Sequence, residues 1–74
     1  MILQSGTVAL ASGIATVTLT VAPVAVVVAY SGSPSTVIGT LVCSASGTTL
    51  TIKSYSAYNA VQTGDGNTVS WIAF

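Results

Sequence analysis

Charge is almost absent from this chain. Only 3% of its 74 residues are charged, namely Lys53 and Asp65, and the formal net charge is zero. An ordinary globular protein has about 25% charged residues, and a soluble monomer needs a charged surface with a net charge away from zero. Nucleic-acid binding needs Lys and Arg against phosphate. We therefore expect a chain whose surface is largely covered in an assembly, with no nucleic-acid partner.

Histidine is missing altogether, and cysteine occurs once, as Cys43. Without histidine the chain lacks the usual general acid or base near neutral pH, and one carboxylate side chain does not make an ordinary metal site. Cys43 has no histidine or second cysteine to activate it, so it is interpreted as a small buried apolar residue. Asp65, between two glycines, is interpreted as a turn residue, and Lys53 as a solvated strand residue. No enzyme, metal or cofactor is expected.

Long hydrophobic runs are also missing, although 51% of the residues are hydrophobic. The most apolar stretch, residues 21–30, is only half of the ~20 residues that a membrane helix needs. The first six residues hold no lysine or arginine for the basic region of a signal peptide. We therefore predict no membrane partner. The stretch is instead expected to be a strand with apolar residues on both faces, which needs cover on both sides.

Alternation of apolar and polar residues predicts strands throughout, and no segment has a sustained helical period. In residues 14–21 one face carries Ala15, Val17, Leu19 and Val21, and the other carries Thr16, Thr18 and Thr20. This threonine face is either an exposed surface or an edge for strand addition by a partner. In residues 48–54 the inward side chains are predicted to be Leu50 and Ile52.

Six short strands are expected, with turn signals between them. They are residues 7–11, 14–21, 24–30, 36–43 (with Gly39 as a candidate bulge), 48–54 and 67–74. The close spacing of the first two across Ser12-Gly13 predicts a hairpin. The fold class is therefore all-β, a single domain over residues 1–74: a small antiparallel β-sandwich or barrel of about six strands.

Two groups of side chains are candidates for contacts with partners. A domain this small usually needs disulfides, a metal or oligomerisation for stability, and only oligomerisation is left here. The residues expected to be buried between subunits or against a shell are Val24, Val26, Val28, Ile72 and Phe74. The second group is Tyr55, Tyr58 and Trp71, which form either an aromatic platform for a sugar ring or, alternatively, a core anchor (Trp71) with two capping tyrosines.

Several short stretches resemble parts of known virion proteins. Ser-Gly-Thr-Thr-Leu-Thr-Ile-Lys (residues 46–53) and Asp-Gly-Asn-Thr-Val-Ser-Trp-Ile-Ala-Phe (residues 65–74) resemble the closing strands of small β-sandwich modules in tailed-bacteriophage structural proteins. The ending Val-Ser-Trp-Ile-Ala is similar to the last strand of H-type lectin domains, which also occur in phage tail fibres. The opening, from Gly6 to Leu19, resembles the first hairpin of many phage structural proteins.

The resemblance implies a virion component that assembles in several copies. We therefore expect a capsid decoration or cement protein, located in the virion, that binds a major capsid protein or another virion protein. It is expected to act as a homo-oligomer, a trimer or another cyclic form. The alternative is a glycan-binding or receptor-binding module of a tail fibre or head fibre. No sugar-binding residue of the lectin family is transferred to this chain.

Overall fold

The computed structural model describes residues 2–35 and 37–74, and every regular element in these ranges is a β-strand. The prediction of an all-β fold is confirmed. The strands are β1 (Gln4–Ala9), β2 (Ile14–Thr18), β3 (Val26–Tyr30), β4 (Thr40–Ser46), β5 (Thr49–Tyr55) and β6 (Thr68–Ala73). In these ranges no helix has the length and apolar character that a membrane crossing requires.

The six strands form a sandwich of two antiparallel sheets with three strands each. Sheet 1 has the order β1-β6-β3, and sheet 2 has the order β2-β5-β4. The last strand is therefore the centre of sheet 1, and β5 is the centre of sheet 2. Each sheet has two edge strands, which leaves four edges in the described part of the chain.

The core lies between the two sheets and is filled from both inner faces. Leu50 and Ile52 on β5 are fully buried, as predicted from their alternation with threonine. Ala15 and Leu19 are also buried, whereas Val17 is half-buried and Val21 is exposed. The remaining buried apolar side chains are Leu10, Val69 and Ala73. Alternation thus identifies the inner faces of the strands whose outer faces are polar.

Strand β3 is apolar on both faces, as the sequence predicts. Val26, Val28 and Tyr30 pack against the core, while Val27 and Ala29 are exposed on the outer face. The strand begins at Val26, two residues later than predicted.

The predicted hairpin between the first two strands is wrong. The Ser12-Gly13 turn itself exists, with φ values of 53° and 81°, as a type I′ turn requires. Beyond a single bridge between Ala11 and Ile14, however, the strands separate: β1 pairs with β6 and β2 pairs with β5. Leu10 is buried, and its N–H donates to the carbonyl oxygen of Asn67 at 2.9 Å, which directs the chain into sheet 1. The turn therefore connects the two sheets.

Strand β4 begins at Thr40 rather than at residue 36, which lies outside the described residues. Residues 37–39 belong to the loop that precedes it. Gly39 is part of this loop and not of a bulge within the strand. A Cβ atom at Gly39 would lie 2.6 Å from the carbonyl oxygen of Tyr55 and would collide with the Ser54 hydroxyl, so the loop approaches β5 too closely for any other residue.

Candidate binding surfaces

The outer face of sheet 1 carries no charge and has an apolar patch at one end. The strand register places Val27 of β3 directly beside Ile72 of β6, and these side chains are 56% and 44% exposed. Val24 lies at the same end, because its N–H donates to the carbonyl oxygen of Phe74 at 2.7 Å, and it is 90% exposed. We call Val24, Val27, Ile72 and Phe74 the apolar patch.

The structure separates the five predicted interface residues into two groups. Val24 and Ile72 are exposed and Phe74 is half-buried, and all three belong to the apolar patch. Val26 and Val28 face inward and pack against the core of their own chain. Val27, which lies between these two residues and therefore faces outward, is not among the predicted residues. The sequence does not reveal this difference, because β3 is apolar at every position.

The outer face of sheet 2 differs from that of sheet 1. The register places Thr16 beside Thr51 and Thr18 beside Thr49, and Ser44 and Ser46 continue these two rows on β4. The predicted threonine face is thus a surface of sheet 2. Lys53 also points outward from this sheet, beside Val42. This face therefore carries hydroxyl groups and the one lysine, together with two exposed apolar side chains that flank the lysine, Ile14 and Val42.

A cleft of about 320 Å³ lies at the end of sheet 2 where β4 begins and β5 ends. Its walls are Thr40, Val42, Tyr55, Ser56 and Asn59. The register sets Thr40 beside Tyr55. The cleft thus combines an aromatic ring, hydroxyl groups and an amide with no charged group among its walls. These are groups that contact a neutral polar molecule with an apolar face.

The loop beside this cleft is held in one shape by its own hydrogen bonds. The Ser56 N–H donates to the Ala60 carbonyl oxygen at 2.7 Å, and the Asn59 N–H donates to the Ser56 carbonyl oxygen at 3.1 Å. Asn59 has a φ of 61°, a left-handed conformation that asparagine tolerates. The loop presents Tyr58, which is 91% exposed.

Trp71 lies on sheet 1, whereas the cleft lies at the end of sheet 2. It is half-buried on the inner face of sheet 1 and packs against the core. Its indole ring covers Gly6, where a Cβ atom would lie 3.0 Å from the ring. Tyr55, by contrast, points outward from sheet 2. The three predicted aromatic residues therefore form no single platform: Tyr55 and Tyr58 lie near the cleft, and Trp71 occupies the position of a core anchor.

Asp65 lies at the centre of a buried polar cluster that the sequence did not predict. The turn and its local hydrogen bonds are as expected: the backbone N–H and the side-chain Nδ2 of Asn67 donate to Asp65 Oδ1 at 3.1 and 2.8 Å. In addition, the Asp65 carboxylate is completely buried and accepts a hydrogen bond from the Tyr30 hydroxyl. The Tyr30 oxygen in turn lies 3.1 Å from the Ser54 Oγ.

This cluster fixes the loop between β3 and β4. The Gly39 N–H donates to the Tyr30 hydroxyl at 2.8 Å. The Asn67 Nδ2 donates to the Val37 carbonyl oxygen at 2.9 Å, and the Ser35 N–H donates to Asn67 Oδ1 at 2.8 Å. Within the described residues every buried side-chain nitrogen and oxygen has a partner. The cluster is thus a satisfied structural network.

The hydrogen bonds lower the pKa of Asp65. Burial, the largest single influence, acts to raise this pKa, but the hydrogen bonds to Tyr30, Ser54 and Asn67 together outweigh it, so the pKa lies below the usual value of 3.8. The carboxylate therefore remains ionised at neutral pH.

Cys43 is only half-buried, although the sequence predicts a buried residue. It faces inward from β4 and packs against the core, and its Sγ lies 4.0 Å from the Val26 carbonyl oxygen. It remains accessible because β4 is an edge strand, with a groove of about 260 Å³ between it and residues 23–26. In the described ranges no three side chains of metal-ligating types lie together.

Comparisons with protein-family models, with curated proteins and with solved structures each find no match to this chain.

Proposed function

We propose that this chain is a self-associating structural subunit of a virus particle, bound to the capsid as a decoration or cement protein. The observation that carries the proposal is the apolar patch on an uncharged sheet. A monomer with Val27 and Ile72 side by side at 56% and 44% exposure, and with Val24 at 90% exposure at the same end of the sheet, leaves apolar area in water that a second molecule can cover. Fully burying one valine or isoleucine stabilises an assembly by about 1.5–3 kcal/mol.

In this proposal the outer faces of the two sheets have different roles. Sheet 1, with no charge in its strands, is the surface that a neighbouring protein covers. Sheet 2, with its hydroxyl rows and Lys53, is the surface that water covers. Burying a surface costs free energy when a charged group loses its water and gains no partner. The strands of sheet 1 contain no charged group, so this cost does not arise when the sheet is covered.

Stabilisation of the shell follows from mass action. A subunit that binds the assembled shell and not its separate proteins stabilises the shell in proportion to its binding free energy. The virion setting is supported by the resemblance of residues 46–53 and 65–74 to phage structural modules.

The test is the position and number of copies in purified particles. Quantitative mass spectrometry gives the number of copies per capsid protein, and antibody labelling in electron micrographs gives their location. A decoration protein is expected in many copies spread over the shell. Absence of the chain from particles would contradict the proposal, and a few copies confined to a vertex or a tail tip would favour adhesion instead.

A second candidate function is recognition of a neutral glycan, and the cleft at Tyr55 is the observation that favours it. A sugar ring presents an apolar face to an aromatic side chain and hydroxyl groups to polar ones, and Tyr55, Thr40 and Asn59 provide both kinds of contact. The ordered loop that presents Tyr58 lies beside the cleft and is already in one shape before binding, which lowers the cost of binding.

This second function is tested by titrating neutral monosaccharides and oligosaccharides while NMR amide shifts are recorded. We expect shifts that saturate at Thr40, Tyr55 and Asn59, and we expect Tyr55→Ala to abolish them. Thr18→Ala, on the hydroxyl rows of the same sheet, is the control and should leave them unchanged. If no sugar shifts these amides, the cleft is not a glycan site.

A further inference from the structure

We infer that the free edge of β3 pairs with β3 of a second copy, which joins two copies of sheet 1 into one continuous sheet. The inference rests on the proposed self-association and deepens it, because it names the partner, the strand and the atoms that make the contact.

Along one side of β3 the backbone N–H and C=O groups have no backbone partner among residues 2–35 and 37–74. Ala25 and Phe74 exchange two hydrogen bonds, of 2.8 and 2.9 Å. Because antiparallel pairs alternate between bonded and non-bonded positions, Val27 and Ala29 direct their N–H and C=O groups to β6. The groups of the three other residues of the strand therefore point away from β6. These residues are Val26, Val28 and Tyr30.

No other strand of the described residues is hydrogen-bonded to that side. Within the described residues β3 pairs with β6 alone, and it is an edge of sheet 1. Strand β4 of the opposite sheet lies close to this edge, and the hydrogen-bond contact between the two strands is the long one from Cys43 Sγ to the Val26 carbonyl oxygen. The groove of about 260 Å³ between residues 23–26 and residues 43–45 keeps this edge open at its beginning.

The edge also lacks the features that usually prevent strand pairing. Natural edge strands carry a lysine, a proline, a bulge or an inward charge that blocks a second strand. The sequence of β3 is Val-Val-Val-Ala-Tyr, with none of these, and three of its five residues are β-branched. Among the described strands, the one lysine lies on β5, in the centre of the other sheet.

A second copy of β3 is the occupant that the register fits. A two-fold axis at Val28 sets Val28 opposite its own copy and Val26 opposite the partner's Tyr30, so the open N–H and C=O groups meet. The same axis sets Val27 beside the partner's Ala29 on the outer face, with no charge on either side. Such an isologous contact closes on itself and brings the two apolar patches onto one continuous face.

Amide hydrogen exchange measured by NMR at low and high protein concentration tests this pairing. We expect exchange at Val28 and Tyr30 to slow as the protein associates, by about 15-fold when the total concentration is about 100 times the dissociation constant of a dimer, because about 7% of the chains are then still monomeric. Val27 and Ala29 are the internal controls, because β6 already protects their amides. Exchange at Val28 and Tyr30 that stays fast in a protein shown to associate would overturn the edge pairing and leave the proposed self-association intact.

A chemically synthesised chain provides an independent test, because N-methylation removes a single donor. N-methylation at Val28 removes an N–H that points to the second copy and spares the bonds to β6, so it should abolish dimers while the far-ultraviolet circular dichroism is unchanged. N-methylation at Thr16 is the matched control: because the Leu19 N–H donates to the Thr48 carbonyl oxygen, alternation along β2 directs the Thr16 N–H to the free edge of that strand, in the other sheet. Dimers that persist with N-methyl Val28 would contradict the inference. A protein that is monomeric at every concentration would contradict both this inference and the proposed function.

Discussion

At the scale of single residues, the most consequential side chain is Asp65. It is the one acidic side chain of the chain, it is fully buried, and the one lysine lies on the outer face of sheet 2. Its charge is therefore stabilised by hydrogen bonds from Tyr30 and Asn67 rather than by an ion pair. A buried charge is tolerated only when such donors are in place, so we expect the cluster to contribute to the stability of this end of the sandwich.

Tyr30→Phe should lower the free energy of unfolding by about 1–3 kcal/mol, because it leaves a buried carboxylate oxygen and the Gly39 N–H without a partner. Urea denaturation measures this as a lower midpoint at an unchanged slope. Tyr58→Phe is the matched control, since Tyr58 is exposed, and it should leave the midpoint unchanged. Equal midpoints for the two variants would show that the cluster contributes nothing to stability.

The lowered pKa of Asp65 gives stability a defined pH dependence. The folded-state pKa lies below the unfolded value of about 3.9, so the unfolded chain takes up the proton first as the pH falls. The stability that this group contributes is present above about pH 4 and is lost as the pH falls through the folded pKa.

We therefore expect the denaturation midpoint of the natural chain to be flat near neutral pH and to fall as the pH drops below about 4. Asp65→Asn should be less stable at neutral pH and should lose much of this acid dependence. If the midpoint of Asp65→Asn fell at acid pH as much as that of the natural chain, the acid dependence would arise from another group.

The sequence predicts part of this cluster and not the rest. The turn at Asp65 and its local hydrogen bonds follow from the neighbouring glycines and Asn67, which are close in the chain. The burial of Asp65 depends on Tyr30 and Ser54, which come from β3 and β5, and no local pattern reveals that these strands meet the turn.

At the scale of elements, strand patterns are well predicted and strand pairings are not. Alternation with threonine locates β2 and β5 and the inward side chains Leu50 and Ile52. The hairpin between β1 and β2 was predicted from spacing alone and is wrong, because burial of Leu10 directs β1 to β6. Pairing partners that are distant in sequence leave no local signal, and a strand with apolar residues on both faces, such as β3, does not show which face is inward.

The late start of β4 also depends on a contact that is distant in sequence, because Gly39 in the preceding loop packs against β5. Gly39→Ala should destabilise the fold by about 1–3 kcal/mol, because its Cβ would press on the backbone of Tyr55. Gly66→Ala is the control: its nearest heavy atom would be 3.8 Å away, so the same change should be neutral or stabilise by about 0.4–1 kcal/mol. Thermal unfolding by circular dichroism compares the two. If Gly39→Ala were as stable as Gly66→Ala, the loop at residues 37–39 could shift away from β5 without loss of stability.

At the scale of the whole molecule, the charge is distributed unevenly. Asp65 is buried and Lys53 lies on sheet 2, so the outer face of sheet 1 is left with valine, isoleucine, alanine and small hydroxyl residues. The sequence shows that charged residues are scarce, but it does not show which face of the fold is uncharged. Val26, an interface residue by the sequence analysis, faces the core, so Val26→Asp would disrupt folding and would not report on association.

The most direct test of the account is therefore a pair of Val→Asp variants on the two outer faces, compared by analytical ultracentrifugation over a wide range of concentration. Val27 and Val42 are 56% and 48% exposed, and each lies on an edge strand, one on sheet 1 and the other on sheet 2 beside Lys53. We predict that the natural chain and Val42→Asp associate and that Val27→Asp remains a folded monomer. Association of Val27→Asp to the same extent as Val42→Asp would contradict the claim that sheet 1 is the face that meets other molecules.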